Sequence, residues 1–428
     1  MHANFICGNR YNSHTGSYNP YYGVYLSMLS QSDICIIGNG AIGKTAALGF
    51  AQAGLSVSLL SPAAIAEAAS PSVAEWDVRV YALNHVAHDL LSSVRVWDAL
   101  DASRVAAVDA MQVNGDGDGA QGAGRLNFDA YGARVGALAW IVEDRNLNQA
   151  LDAALKFAPR VRTVNGRAAA MNVVGQGATV QLENGDTLGA ALVVGADGGQ
   201  SWLRGQCDIG LDYRSYGQRA IVTNFVCEEP HHGVAHQWFS ADQGIVALLP
   251  LPGQRVSLVW SAPDALADVL LRESLTQLAA RLAVWAGPVL GELRPLQPES
   301  VKGFPLTLVR PHAITAPRVA LVGDAAHVMH PLAGQGMNLG FADVAALLKT
   351  VAERGPERDC GDARMLGRYA RARKEDILFM QLATDGLERL FGTNFEPVRV
   401  ARNLGMNLLD KLPLLKRRLI SQALGRQR

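Results

Sequence analysis

The sequence contains no uninterrupted apolar run of about 18 residues, so no segment is expected to cross a membrane as a helix. It also lacks the basic start and apolar stretch of a signal peptide. Its five cysteines, Cys7, Cys35, Cys207, Cys227 and Cys360, are odd in number, widely spaced and form no C-x-x-C pair. That argues against a disulfide framework or a zinc site and for a reducing compartment. Net charge is missing too, since 39 Lys+Arg balance 39 Asp+Glu, and no nucleic-acid partner is expected. Charged residues are only 18%, below the usual quarter or so, while hydrophobic residues reach 49%, enough for a sizeable core. The 428 residues allow two or three domains, or one large α/β domain with an insertion. The expectation is a cytoplasmic protein, free to touch the inner face of the membrane.

No metal is expected. Asn114-Gly115-Asp116-Gly117-Asp118-Gly119 imitates the start of a calcium loop, but Arg125 stands where a bidentate Glu is needed. His327 and His330 are spaced like metal ligands and lack a third.

Residues 1–30 are rich in Tyr, Asn, Ser and Gly without apolar periodicity, which predicts a disordered tail; Met28 offers an alternative start. From Asp33 the pattern is ordered. Asp33–Ile37 reads as a buried strand, a Gly-rich turn and an Ala-rich helix to about Ala53 follow, and Leu55–Leu60 reads as a second strand. This βαβ opening implies a parallel sheet. Residues 113–124 form a Gly/Asp-rich loop, and strand-like runs from Thr179 lead into Gly195. Residues 213–261 alternate apolar and polar positions, suggesting a largely antiparallel sheet. Arg318–Val322 is another short strand, and the chain after Gly340 reads as mostly helical. The predicted fold class is α/β: a Rossmann-like domain, discontinuous in sequence (31–105, 140–205 and 312–375), with an inserted β-rich domain (106–139 and 206–311) and a helical C-terminus (376–428).

Gly38-Asn39-Gly40-Ala41-Ile42-Gly43 is G-x-G-x-x-G between a strand and a helix. In a dinucleotide fold the first Gly makes the turn, the second admits a pyrophosphate and the third lets helix and strand pack closely. The same stretch, Gly38 to Gly43-Lys44-Thr45, also fits the P-loop pattern of an NTPase, with Lys44 on phosphates and Thr45 on Mg²⁺. On this segment alone the two are nearly even. The strand re-entered at Ala53-Gly54-Leu55-Ser56-Val57, and the later motifs, favour the dinucleotide. The acid expected at the end of the second strand is absent, and Ser61 stands there.

Two further motifs follow: Gly195-Ala196-Asp197-Gly198-Gly199-Gln200-Ser201-Trp202-Leu203-Arg204, then Gly323-Asp324-Ala325-Ala326-His327 with His330-Pro331-Leu332-Ala333-Gly334-Gln335-Gly336-Met337-Asn338. A carboxylate at Asp324, at a strand end, can accept from the hydroxyl groups of a ligand. The small residues around Gln335 let backbone N–H groups reach a flat ring, and the next helix points its N-terminus at it. The ordered set resembles the flavoprotein aromatic hydroxylases of the p-hydroxybenzoate hydroxylase fold. From His330 to Asp343 it is similar to the ubiquinone-biosynthesis hydroxylases (the UbiH/UbiF/UbiI group). The resemblance spans about residues 33 to 410 and includes Asp77–Leu83, Tyr216-Gly217-Gln218, Ala247–Leu251 and Phe304-Pro305-Leu306.

The resemblance implies FAD as cofactor, NADPH or NADH and O₂ as co-substrates, and oxygen delivery through a flavin hydroperoxide to a polyprenyl phenol of ubiquinone synthesis. It also implies Pro331 beside the ring with His330 next to it as catalytic residues, Arg79 near the flavin, and Asp197 with Gly198 positioning the cofactor. Tyr216, Gln218, His236 and Trp238 are the candidate substrate residues, and a ubiquinone-biosynthesis complex is a candidate partner. Besides Ser61, the chain departs from the family with Asp144 for an expected Asn and Trp238 for a frequent Arg. Other readings are another FAD monooxygenase or reductase on this fold, a P-loop NTPase, and a non-catalytic assembly partner. Leu404, Leu408, Leu412, Leu415 and Leu419 recur at helical spacing with Lys411, Lys416, Arg417 and Arg418 between them. This is either a helix packed on the body and broken near Pro413 or one lying on an anionic membrane.

Overall fold

The computed structural model describes residues 28–62, 75–116, 124–296, 301–331, 334–355, 357–393 and 395–412. The chain opens with β1 (Met28–Ile37), α1 (Ala41–Gln52) and β2 (Val57–Ser61). It continues through β3 (Val80–Leu83), α2 (His85–Ser93), β4 (Val105–Val108), β5 (Ala110–Asn114), β6 (Arg125–Asp129), α3 (Ala130–Ala133) and β7 (Ala139–Glu143). Then come α4 (Asp144–Lys156), β8 (Val161–Asn165), β9 (Ala168–Val174), β10 (Gly177–Leu182), β11 (Thr187–Gly195) and α5 (Trp202–Gln206). The β-rich part holds β12 (Leu211–Cys227), β13 (Val234–Ser240), β14 (Gly244–Leu251), β15 (Arg255–Pro263), α6 (Asp264–Leu270), α7 (Leu275–Leu290), β16 (Leu293–Pro295) and β17 (Lys302–Pro311). The chain returns with β18 (Thr315–Ala316) and β19 (Val319–Leu321), then α8 (Gln335–Ala352), α9 (Ala363–Phe391) and α10 (Glu396–Asp410).

The nucleotide sheet runs β18-β19-β11-β1-β2-β8, with β10 and β9 added antiparallel beside β11. β1 pairs in parallel with both β11 and β2. Both faces of β1 are covered, so its sequence is continuously apolar rather than alternating. Ile34 and Ile36 point to one side, with Phe50, Leu59, Phe341, Leu347 and Tyr369; Cys35 and Ile37 point to the other, with Leu60, Val193 and Leu321.

The second large sheet runs β16-β12-β15-β14-β13-β5-β6, with β17 beside β12. It is antiparallel as the alternation predicted, except that β13 and β5 pair in parallel because β5 arrives from far upstream. Helix α7 covers its outer face over Ile221, Phe225, Val246, Leu248 and Trp260. A three-stranded sheet, β3-β7-β4, lies between the two large ones.

Several boundaries move. Met28 already pairs opposite Thr187, so residues 28–30 of the expected tail belong to β1; residues 1–27 lie outside the described residues. Val113 and Asn114 belong to β5 rather than to a loop, and 117–123 are outside the described residues. β4 joins β7, so the 105/106 division falls at the start of a strand of the middle sheet. Helix α10 rests on the β sheet, where Asn407 and Asp410 side chains accept from the backbone N–H groups of Arg125 and Asn127, both at 2.9 Å. Pro413, Leu415, Leu419 and the basic residues 416–418 lie outside the described residues. Among the described residues, no helix is long and apolar enough to cross a membrane.

Candidate active site

The three glycine motifs, separated by well over a hundred residues each, meet at the C-terminal ends of β1, β11 and β19. Gly38 has φ +113°, and a Cβ there would lie 2.2 Å from the Ala196 carbonyl oxygen. A Cβ on Gly43 would lie 2.0 Å from the Gly38 oxygen. Two glycines are therefore required by close backbone approach. Gly40 differs: its Cβ would meet nothing within 4 Å, so open space lies over the start of α1. No side chain caps that helix end, which leaves its first N–H groups, from Ala41 onward, for an anion.

Ile42 is the hub between the first and third motifs. Its side chain packs within 3.4 Å of where Cβ atoms on Gly323 and Gly340 would be. The second motif is tied to the third by Arg204, which donates to the Ala325 carbonyl at 3.0 Å and the Gly199 carbonyl at 2.8 Å. The burial of Arg204 and its distant carbonyl partner are invisible to local spacing. Asp197 accepts from Leu203 N–H at 3.0 Å through Oδ2, while its Oδ1 is buried without a protein partner. Gly198 beside it takes φ +82°.

Asp324 lies on the floor of the cleft between these motifs. Its surface is accessible, yet protein atoms surround it closely; this crowding pushes its carboxyl up from the ordinary range, and His327 and Arg79 pull it partly back. Arg79 is exposed, with its guanidinium 5.5 Å from the Tyr81 ring centroid and 6.0 Å from that of Phe304. The Tyr81 hydroxyl donates to Asp144 at 2.6 Å, and Asp144 also accepts from Asn148 Nδ2 at 3.0 Å. The carboxylate thus serves as an acceptor within this face.

Behind the cleft floor, Asp343 is fully buried. It accepts from Gly323 N–H at 2.9 Å, meets His327 Nε2 at 2.6 Å and accepts from Arg373 Nε at 2.8 Å. His327 is therefore part of a buried support. Gly334 takes φ +67° and opens α8 without a capping side chain; Cβ positions at Gly336 face open space. Gln335 begins the helix and Met337 packs partly buried on the main core. Asn338 is used differently from the expectation. Its amide donates to the Ala82 carbonyl at 2.8 Å and accepts from Asn84 N–H at 2.9 Å, so one end holds α8 to β3 and the other to the cap of α2.

Three other expectations are corrected by geometry. Lys44 does not reach toward a phosphate site: its Nζ pairs with Asp152 at 2.6 Å and Asn148 at 3.2 Å. Thr45 bonds back to the Ala41 carbonyl at 2.8 Å inside the helix. The P-loop reading fails on both, and Lys44→Ala is expected to leave the flavin-to-protein ratio of the purified protein within about twofold of wild type, in line with the small worth of such ion pairs. Ser61 is not a free ribose ligand either. Its hydroxyl accepts from Asn39 Nδ2 at 2.5 Å and donates to the Pro62 carbonyl at 3.1 Å. Asn39, an x position of the glycine motif, carried no signal of this.

Tyr216, Gln218, His330 and Pro331 do come together. The Tyr216 ring meets His330 edge-on at 5.0 Å, and His330 Nε2 is 3.1 Å from Gln218 Oε1. Gln218 Nε2 donates to Glu388 Oε1 on α9 at 3.1 Å, which orients the amide so that His330 Nε2 carries the ring proton. His330 itself has no exposed surface, whereas Pro331 is partly exposed. The imidazole is thus covered, while the adjacent proline keeps some exposed surface.

His236 and Trp238 are on the wrong side. They pair opposite Leu248 and Val246, which belong to the core under α7. The neighbouring positions Ala235 and Leu249 pack toward the middle sheet, so Gln237 and Ala247 occupy the cleft-facing side.

Burial holds His330 and His236 down at about 4, the latter helped by His231. Unfolding returns both to about 6.5. The unfolded chain then binds more protons, so stability is full above about pH 6.5 and is lost as pH falls toward 4. Urea midpoints measured across this range should fall with acidification, and His236→Leu should remove part of the slope if the fold is retained.

The uncapped starts of α1 and α8, the open space over Gly40, the unpaired Asp197 oxygen and the accessible Asp324 together fit FAD. The two sheets and this cleft define an FAD-dependent enzyme of the p-hydroxybenzoate hydroxylase fold. A family model described as an FAD binding domain matches residues 31–377. Over 92% of this chain, it is 35% identical to the ubiquinone hydroxylase UbiL of Rhodospirillum rubrum, covering 90% of that protein. It is 34% identical to the 3-demethoxyubiquinol 3-hydroxylase of Escherichia coli, covering 92% of this chain and 98% of that one. The solved p-nitrophenol 4-monooxygenase PnpA of Pseudomonas putida shares the fold, with a TM-score of 0.73 at 18% identity over 94% of this chain and 100% of that one. The chain belongs to the family of flavin-dependent ubiquinone-biosynthesis hydroxylases. It is an FAD monooxygenase, and NAD(P)H and O₂ are the co-substrates of this class.

Proposed function

We propose that the protein hydroxylates the aromatic ring of a polyprenylated quinone precursor. The observation that carries this is the meeting of three glycine motifs beside an exposed Asp324 and a partly exposed Pro331, in a chain about a third identical to two ubiquinone hydroxylases. FAD, when bound, supplies hydride acceptance from NAD(P)H and the activation of O₂. The start of α1 would hold the pyrophosphate, Asp324 would accept from ribityl hydroxyls, and the start of α8 would stabilise negative charge on the ring. Pro331 walls the ring side, and His330 with Gln218 fixes its position. Arg79, aligned between Tyr81 and Phe304, adds a positive charge at the mouth. Deleting the gene and identifying the quinone intermediate that accumulates tests this reading; normal quinone synthesis in the deletion strain contradicts it.

A membrane-embedded substrate calls for access from the bilayer. On α9, Phe379 and Leu382 are 50% and 55% exposed; on α10, Leu404 and Leu408 are 63% and 60% exposed. The sequence beyond them adds Lys416, Arg417 and Arg418. This combination supports peripheral docking on an anionic bilayer, on its cytoplasmic side. Vesicle flotation is expected to be stronger with anionic than with neutral lipid and to weaken in a Leu404→Ser/Leu408→Ser variant. Flotation insensitive to both changes contradicts docking by this face.

A further inference from the structure

On the outer side of the large β sheet, away from the flavin cleft, α7 leaves a pocket of about 230 Å³ against β5, β6 and β13. It is lined by Gln112, Asn114, Arg125, His236, Trp238 and Trp285. The His236 ring stacks on Trp238 at 5.5 Å between centroids and 12° between planes. His236 is only 5% exposed, and its Nδ1 is buried with no hydrogen-bond partner among the described residues. A buried imidazole left unpaired is unfavourable, and such groups in native proteins call for an explanation. Burial also keeps this ring neutral at physiological pH, so it adds an uncharged aromatic face beside Trp238.

Two further features give the pocket a polarity. Pro288 lies inside α7 and lines the pocket with Val284, four residues earlier. Proline has no N–H, so the Val284 carbonyl lacks its usual helical donor and is left as an acceptor. Opposite in charge, the Arg125 side chain is exposed and forms no ion pair among the described residues, while its backbone is anchored to Asn407 at 2.9 Å. The site therefore offers aromatic faces, a neutral imidazole and a free guanidinium fork. Its volume is below that of drug-sized pockets, which matches one ring.

We propose that this pocket binds a single-ring aromatic carboxylate, with the ring against Trp238 and Trp285 and the carboxylate on Arg125. Arginine suits that role because its planar fork matches a carboxylate in two parallel hydrogen bonds. The site is separate from the flavin cleft, since β13 presents His236 and Trp238 to the opposite face of the sheet.

The test uses the FAD-loaded, full-length protein with benzoate and 4-hydroxybenzoate as probes in isothermal titration calorimetry. Saturable binding is expected that leaves the flavin absorbance unmoved. Arg125→Ala, a surface change outside the flavin site, should weaken it at least tenfold while NAD(P)H oxidation is unaltered. A soak with 4-bromobenzoate should place the bromine between Trp238 and Trp285. No saturable binding, binding equal in wild type and Arg125→Ala, or binding that occurs only with a flavin spectral shift, overturns the proposal. Because the readout is binding at α7, its failure leaves the hydroxylase reading untouched.

Discussion

Gly38→Val is expected to give a protein that purifies colourless, with a flavin-to-protein ratio below about a tenth of wild type. The backbone at Gly38 takes φ +113°, a conformation that costs a side-chain-bearing residue about 1–3 kcal/mol. A Cβ would also stand 2.2 Å from the Ala196 carbonyl oxygen and 2.5 Å from its carbon, both backbone atoms held by the Ala196 N–H to Ile37 carbonyl bond of 2.8 Å. Neither can move without parting β1 from β11. The companion variant Gly40→Ala separates ligand from fold. Gly40 has φ −68° and open space where a Cβ would go, so stability should change by no more than about 1 kcal/mol. The added methyl nevertheless enters the space reserved for the pyrophosphate. Flavin affinity should fall at least tenfold at nearly constant urea midpoint. If Gly40→Ala binds FAD as wild type does, the pyrophosphate is not at the start of α1.

Asp343→Ala should be the most destabilising single change in the site. It strands Arg373, 4% exposed, and leaves Gly323 N–H without its acceptor. Breaking a buried pair from one side costs about 3–5 kcal/mol. Arg373 keeps Asp376, which moderates the loss. Burial alone raises the Asp343 carboxyl, but the charges and hydrogen bonds of His327 and Arg373 more than reverse this and hold it below the ordinary carboxylate range. The folded state therefore binds its proton more weakly than the unfolded chain. The stabilisation is complete above the unfolded carboxylate range near pH 4 and is lost as pH falls through the depressed native value. Urea unfolding at neutral pH, with flavin content measured on the same samples, checks the variant. Unchanged stability with normal flavin removes Asp343 from the support of the cleft floor.

The fold was largely legible because its evidence is local. β1, α1 and β2 declare themselves through a continuous apolar run, a glycine turn and a short return, and the motifs at Asp197 and Asp324 each follow a strand end. What the sequence concealed depends on tertiary direction. Lys44 and Thr45 match a phosphate-binding pattern in type and spacing, but α1 turns both inward, Lys44 onto Asp152 and Thr45 onto the Ala41 carbonyl. Asn338 sits one helical turn past Gly334, and only the arrival of Ala82 on β3 and Asn84 at the start of α2 engages both ends of its amide. On β13, period-two alternation separates His236 and Trp238 from Ala235, Gln237 and Phe239, but both sets are mostly buried. With no solvated face to mark the outside, the pattern does not say which set meets the cofactor. Glu388 reaches Gln218 from 170 residues away, beyond any local signal.

The central claim is that this cleft uses FAD to place one atom of O₂ on an aromatic ring. The direct measurement is product mass after turnover of the FAD-loaded enzyme with NAD(P)H, a polyprenyl phenol and ¹⁸O₂. One labelled oxygen per product, with about one NAD(P)H consumed per hydroxylation in a well-coupled reaction, is the expected result. Label arriving instead from H₂¹⁸O, or product forming at the same rate without O₂, contradicts the account.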